Sequence, residues 1–339
     1  MLAARNRLPL AAVLAVAVIA LSLSTLLSVA IGAQKIPLAD IGTALTHPDS
    51  SSNSTVASIL WDRRIPRTLV ALCAGMSLGV AGALAQALTR NPLVDTGVLG
   101  INSGAAFAIV CGLAVGLNDA PLTLFGLALL GALVTGCGVY VLSRSHAGAK
   151  GADPVRLVLA GVALSAILGG VGDGLALVNP QAFDRLHAWM VGSVDVGNFQ
   201  PVWLAAGGLV VGLAVAAGAI RGLSALQLGD EMAASLGASL AKTRLLAFAG
   251  VVLLAASATA AAGVFVFLGL LVPHIARWLV GPSFGRLVLV SALLGPLVLV
   301  LADVLGRIIM PGEFPAGVVV SFIGAPFLVA YAQTRRTEI

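Results

Sequence analysis

Arg63-Arg64-Ile65-Pro66-Arg67-Thr68-Leu69 opens an apolar run that lasts to Leu88, and Thr89-Arg90-Asn91-Pro92-Leu93 closes it. The run has the roughly 20 residues with which a helix crosses the hydrocarbon core of a bilayer. Arginines at one mouth and a proline break at the other supply its ends, since proline cannot continue a helix. Outward from this stretch the pattern repeats. Apolar spans are read at 8–33, 68–88, 97–116, 122–142, 156–178, 201–220, 244–262, 264–280, 286–306 and 315–333, punctuated by Asn91-Pro92, Ala120-Pro121, Asn179-Pro180 and Pro311-Gly312. The expected fold is all-α, a polytopic transmembrane helical bundle of about ten spans forming one domain over residues 1–339. A segment at 222–243, between spans six and seven, is read as cytoplasmic. The spacings Gly75/Gly79 and Gly112/Gly116 permit close helix contact.

Composition leads to the same class. The 339 residues are 59% hydrophobic and 10% charged, against roughly 25% charged in soluble domains, and the mean hydropathy is +1.05. The net charge of +5 is spread singly and in pairs between apolar spans, which excludes a nucleic-acid patch and fits membrane topology. Cys73, Cys111 and Cys137 lie inside apolar runs and read as buried thiols, not as a disulfide or metal set. The first span follows Arg5 and Arg7 without a small-residue cleavage site after a short core, so it reads as a retained helix.

With the N-terminus placed in the cytoplasm, thirteen of the 19 basic residues fall inside and six outside, in keeping with the positive-inside tendency. Both termini are then cytoplasmic. Three of the six outside positives are Arg63, Arg64 and Arg67 at one helix mouth, and Arg307 ends another span. Such a cluster works against insertion bias. Two readings are open: snorkelling to lipid phosphates and a docking surface for an acidic partner. Asp303, four residues before Arg307, is placed to hold that guanidinium.

On the inside, Gly229-Asp230-Glu231-Met232-Ala233-Ala234-Ser235-Leu236-Gly237 combines charge with helix-forming character. Acids favour the positive end of a short helix, and Gly237 is placed to stop it. The outer stretch Leu45–Ser58, with Ser50 to Ser54, reads as a flexible connector. No phosphate-binding G-x-x-x-x-G-K-[ST] loop occurs. Intramembrane polar groups suggest function by default; here they are Gln86, Asn91, Asp95, Asn102, Asp173 and Asp303. None forms a midplane carboxylate–cation pair, which argues against an ion-coupled carrier. Asp173 is read either as facing a funnel or as interfacial. His274 beside Pro273 supplies one ligand where an iron site wants several, so its role is structural and no metal or other cofactor is expected. No nucleophile–base cluster points to an enzyme.

Arg63–Gly104, Gly229–Gly237, Gly263–Arg277 and Ala302–Pro326 together resemble, in order and over nearly the whole chain, the FecCD-type permease family of bacterial ATP-binding-cassette importers for iron–siderophore and cobalamin complexes. The stretches Leu88–Leu93, Gly100–Ile109, Val191–Asp195 and Gly306–Glu313 look most like catecholate-siderophore permeases. The resemblance implies a transport subunit of the bacterial inner membrane moving ferric siderophore inward, with cobalamin or haem as other cargoes. It implies that Arg64, Arg67 and Arg307 face a substrate-binding protein or lipoprotein and pair with its glutamates. Asp230, Glu231 and Gly237 would belong to a coupling loop seated on an ATPase dimer, which alone uses ATP. Asn91 and Leu93, with Pro154 and Val155 opposite, would line a cytoplasmic gate; a simple helix cap is the other reading of Asn91. A second permease subunit, identical or paralogous, completes the passage.

Overall fold

The computed structural model describes residues 9–32, 34, 36–46, 54–118, 120–144, 151–309 and 314–336, and among them every regular element is helical. In chain order these are α1 (Leu10–Ala30), α2 (Leu38–Thr46), α3 (Ser54–Ser58), α4 (Ile65–Thr89), α5 (Ile101–Ala114), α6 (Pro121–Arg144) and α7 (Pro154–Val178). There follow α8 (Pro180–Met190), α9 (Gln200–Leu226), α10 (Asp230–Ser235), α11 (Leu240–Ala262), α12 (Leu268–Val280), α13 (Phe284–Ile309) and α14 (Ala316–Arg336). Seven helices are long and apolar enough to cross a membrane: α1, the stretch ending in α4, α6, α7, α9, α11 and α13. The shorter apolar helices α5, α12 and α14 bring the spans among the described residues to the ten expected.

Two spans are discontinuous, which hydropathy alone did not reveal. Helices α5 and α12 have 14 and 13 residues, or about 20 Å at 1.5 Å per residue, short of the ~30 Å hydrocarbon core. Their remaining length is irregular backbone. A 3-10 turn at Thr96–Leu99 ends at Gly100, with φ 81°, and residues 263–267 run from Gly263 (φ 76°) to Phe267 (φ 71°). Non-helical backbone survives at membrane depth only where protein buries it, and Leu99, Gly100, Val264 and Phe265 are buried.

The centre is α4, α11 and α13, which bury most of their apolar length, whereas α1, α7 and α9 bury a minority and present the rest outward. Small residues set the spacing. A Cβ on Gly75 would lie 2.6 Å from Pro296 Cα, and one on Gly79 would lie 2.6 Å from the Ser291 carbonyl, so α13 rests directly on α4. A Cβ on Gly82 would stand 1.8 Å from the Gly269 carbonyl. Helix α12 therefore begins beside the body of α4 rather than at its end. At the second expected pair, Gly112 meets only the Leu127 side chain, and Gly116 (φ 85°) lies beyond the helix.

Three expectations need correction. The segment before Ser58 is not a plain connector: α2 and α3 flank it, and Ile41, Ala44, Ala57 and Leu60 bury a small core of their own. Residues 47–53, including most of the serine run, lie outside the described residues. A π-helical turn, Ile59–Arg64, then leads straight into α4. Second, residues 180–190, whose Asp184, Arg185, His187 and Trp189 read in the sequence as a loop after the fifth span, form the surface helix α8, capped by the Asn179 side chain accepting from the Ala182 N–H at 3.2 Å. Third, Cys73 and Cys111 are half-buried and Cys137 is exposed, because α6 turns that side away from the bundle.

Candidate functional site: two charge junctions at opposite ends of the bundle

At one end, which the charge count reads as the outer one, the turn of residues 59–64 and the first turn of α4 place Arg63, Arg64 and Arg67 around one mouth, and the last turn of α13 adds Arg307. With Asp195 they line a pocket of about 280 Å³. The three arginines expected to dock a partner are thus brought together, but their guanidinia are committed inward. Arg67 is 6% exposed, Arg64 4% and Arg307 7%. Arg67 donates from Nη2 to Asp303 Oδ1 at 2.7 Å and from Nε to both carboxylate oxygens at 3.0 and 3.2 Å. Arg307 bonds the same carboxylate from one turn later on α13, as the i,i+4 spacing predicted. Asp303 is itself 1% exposed. A carboxylate between two guanidinia is the arrangement that lets such charges be buried at all.

The other bonds of this mouth go to the end of α1. Arg64 Nη1 donates to the carbonyls of Val29 (2.9 Å) and Ala30 (2.8 Å), and Nη2 to that of Gln34 (2.6 Å). Arg307 Nη1 donates to the Ser28 and Ile31 carbonyls at 2.8 and 2.9 Å. The last carbonyls of any helix lack intrahelical partners, and two arginines distant in sequence satisfy them here. Gly32 makes room: a Cβ there would stand 2.7 Å from Arg64 Nη2. Arg67 also reaches Asp195 at 3.5 Å. Arg63, in contrast, is exposed.

At the opposite end, which the charge count reads as the inner one, a second carboxylate joins two guanidinia. Asp230, the first residue of α10, receives Arg244 Nη2 on Oδ2 at 2.7 Å and Arg90 Nη2 on Oδ1. The same Arg90 group donates to the Leu226 carbonyl, at the last residue of α9, at 3.0 Å. Asp230 is 30% exposed and Arg90 44%. Burial pushes the Asp230 carboxyl up, but the Arg244 and Arg90 charges outweigh it and hold the group below the ordinary carboxylate range. Glu231 turns outward beside Leu228, Met232 and Leu236, three large apolar side chains left exposed on this face. Gly229 (φ 104°) and Gly237 (φ 81°) bracket α10 in backbone conformations that L side chains rarely adopt. Of the three residues assigned to coupling, Glu231 faces out, Gly237 shapes the end of the helix and Asp230 faces the bundle. Arg90 and Arg244, its partners, were counted in the sequence only as inside charges.

The proposed gate residues lie beside this junction. Helix α4 ends with Arg90 in the left-handed region (φ 51°), its N–H bonded to Ala87 O and that of Asn91 to Gln86 O, a Schellman-type end with arginine where glycine is usual. Asn91 Oδ1 accepts the Leu93 N–H at 3.0 Å. Asn91 and Leu93 are exposed. Pro154 and Val155 open α7, capped by the Asp153 side chain, and Val155 is exposed as well. Just before α7, a Cβ on Gly151 would lie 2.8 Å from Ala241 Cα, so this entry packs on the start of α11. The chain places all four residues at one end of the bundle.

The remaining polar groups have local roles. Gln86 receives Arg277 Nη2 at 3.0 Å. Asn102 accepts from Thr259 Oγ1 at 3.3 Å. Asp95 packs on the start of α12, where a Cβ on Gly269 would stand 2.6 Å from its Oδ1. Asp173 is exposed and lines a cavity of about 170 Å³ with Asn102 and Ser103. His274 Nδ1 meets the Leu270 carbonyl at 3.0 Å. Among the described residues no three His, Cys, Asp or Glu side chains converge on a metal position.

A bundle with two broken spans, an arginine-lined mouth at one end and a surface helix tied to three spans at the other has the build of a polytopic membrane protein of the transport-permease class. The sequence profile of the FecCD transport family matches residues 19–334, and the chain belongs to that family. It is 42% identical over 309 residues to the ferric enterobactin transport system permease protein FepD of Escherichia coli (strain K12), covering 91% of each chain. It is 37% identical over 311 residues to the Fe(3+)-citrate import system permease protein YfmD of Bacillus subtilis (strain 168), again 91% of each. In three dimensions it matches a metal-chelate type ABC transporter solved in an inward-facing conformation, with TM-score 0.81 and 23% identity over 96% of this chain and 99% of the other.

Proposed function

We propose that this chain is the permease subunit of an ATP-binding-cassette importer that carries a ferric siderophore, of catecholate type, across the bacterial inner membrane by alternating access. The observation that carries the cargo is the 42% identity to a ferric enterobactin permease over 91% of both chains. Motion comes from a separate ATPase dimer seated against Glu231 and the exposed Leu228, Met232 and Leu236. A loaded binding protein docks at the outer arginine mouth, and a second permease subunit completes the passage. Both termini are cytoplasmic in this arrangement, and Asn91, Leu93, Pro154 and Val155 line the inner gate. The chain binds no cofactor; iron stays inside its chelator.

The test is uptake of radioactive ferric enterobactin by cells lacking the gene, with and without its return. Restored uptake that stops on ATP depletion and survives collapse of ion gradients is expected. Uptake that follows the ion gradient would overturn the mechanism. Ferric citrate, the cargo in the names of two relatives at 37% and 38% identity, belongs in a parallel arm, with cobalamin and haem beside it; restoration by one of these alone would reassign the cargo.

A further inference from the structure

We infer that Asp230 is the positioning residue through which movement of α10 reaches the gate: with Arg90 and Arg244 it forms a three-way joint that ties the coupling helix to the inner ends of α4, α9 and α11. The inference rests on the importer reading above, and four observations carry it.

First, the connectivity is that of a joint. Asp230 uses one oxygen for Arg90 and the other for Arg244, so a single carboxylate holds the end of α4 and the first turn of α11. Arg90 Nη2 adds the carbonyl of Leu226, where α9 ends.

Second, α10 is bracketed by freedom. Gly229 and Gly237 hold positive φ, and an added Cβ at either would meet no atom within 4 Å. Six helical residues between two such glycines form a short unit set apart from α9 and α11. Its buried anchor to the bundle is Ala233, 0% exposed, and the charged tether is Asp230.

Third, the tether ends beside the gate in sequence. Arg90 directly precedes Asn91-Pro92-Leu93 and sits in the left-handed region at φ 51°. For a residue with a Cβ that conformation is unfavourable, so the bonds of its guanidinium help to hold it. Pulling on Asp230 therefore acts on the backbone that shapes the 90–93 turn, where Asn91 Oδ1 accepts the Leu93 N–H.

Fourth, the joint is wet enough to move. Asp230 is 30% exposed and Arg90 44%, against 7% for Arg244, so the Arg90 arm is the one in water, and exposed ion pairs are weak. A linkage that must shift in each cycle needs bonds that exchange easily.

The experiment reconstitutes the full importer, with its ATPase and binding protein, in proteoliposomes. It measures radioactive ferric enterobactin taken up per ATP hydrolysed. Asp230→Asn is expected to lower that ratio roughly tenfold, within the range reported for mutations along coupling networks, because hydrolysis outlasts uptake; Asp230→Glu should recover part of it. Arg90→Gly separates transmission from folding. Glycine suits the φ 51° position better than arginine, so a purely structural role predicts unchanged transport, whereas the joint predicts the same fall in the ratio. Arg90→Gly also carries the test if Asp230→Asn fails to accumulate in the membrane. An unchanged ratio in Arg90→Gly, or uptake and hydrolysis falling in parallel, would overturn the joint. Wild-type vesicles whose uptake ignores ATP would instead overturn the importer reading beneath it.

Discussion

Each end of this bundle has one carboxylate held by two arginines, and the two arrangements differ in how far water reaches the carboxylate and one of its partners. The outer one, Asp303 with Arg67 and Arg307, has side-chain exposures of 1%, 7% and 2% and joins α13 to α4 while gripping the end of α1. The inner one, Asp230 with Arg90 and Arg244, leaves Asp230 30% and Arg90 44% exposed, while Arg244 is as buried as Arg67 at 7%. In low dielectric a charge pair is strong but unforgiving: removing one member strands the other. In water the same pair is weak and readily exchanged. The outer junction is therefore a fixed brace that shapes a cationic mouth, and the inner one is a movable tether.

The comparison can be broken by removing each carboxylate in turn. Asp303→Ala leaves two buried guanidinia without their counter-charge, and a loss of about 3–5 kcal/mol is expected. Thermal unfolding of the detergent-solubilised permease should show it as the most damaging single change, with folded protein in the membrane falling sharply. A variant replacing Asp303, Arg67 and Arg307 together by apolar residues of similar volume should be more stable than Asp303→Ala alone, and it should lose docking of the binding protein. If the single variant melts like wild type, the outer junction is no brace.

Arg64→Ala should come next, at about 1–3 kcal/mol, because it strips the carbonyls of Val29, Ala30 and Gln34 of a donor in a buried site. Proteolysis near the end of α1 would report the loosening. Asp230→Asn should cost ~1 kcal/mol or less in the same melting assay, although it uncouples transport.

Acid sharpens the contrast through a smaller effect. The folded-state pKa of Asp230 is depressed, so its stabilising contribution is complete above the ordinary carboxylate pKa of about 3.9 and is lost only as pH falls through the lower folded value. Melting curves of wild type and Asp230→Asn should therefore run parallel from neutral pH down to that range and converge below it. Smallest of all, Arg63→Ala, at an exposed side chain, should leave stability unchanged, and any effect should be confined to binding-protein affinity at low salt, where surface charge is least screened.

Much of the fold was legible because lipid imposes a simple code. Ten apolar stretches, their polar ends and the inside excess of Lys and Arg follow from the cost of placing charge in hydrocarbon. The Asp303–Arg307 contact was legible because four residues on one helix bring two side chains together. The broken spans were not, since residues 96–100 and 263–267 are as apolar as a helix and differ only in backbone path. The second arginine on Asp303 was equally hidden: Arg67 lies 236 residues away, and only the seating of α13 on Gly75 and Gly79 brings it within reach. At the inner end, Gly229 and Gly237 marked the borders of a short helix, but nothing local showed that Asp230 faces inward to Arg90 and Arg244 while Glu231 faces out.

By itself, then, the sequence determined the class of molecule and the number of its apolar spans, because both depend on local hydrophobicity, charge and turn residues. Tertiary structure alone decided which charges are spent inside the bundle and which remain for a partner. That choice depends on long-range helix packing, where glycine contacts set the distances and burial sets the strength of every ion pair.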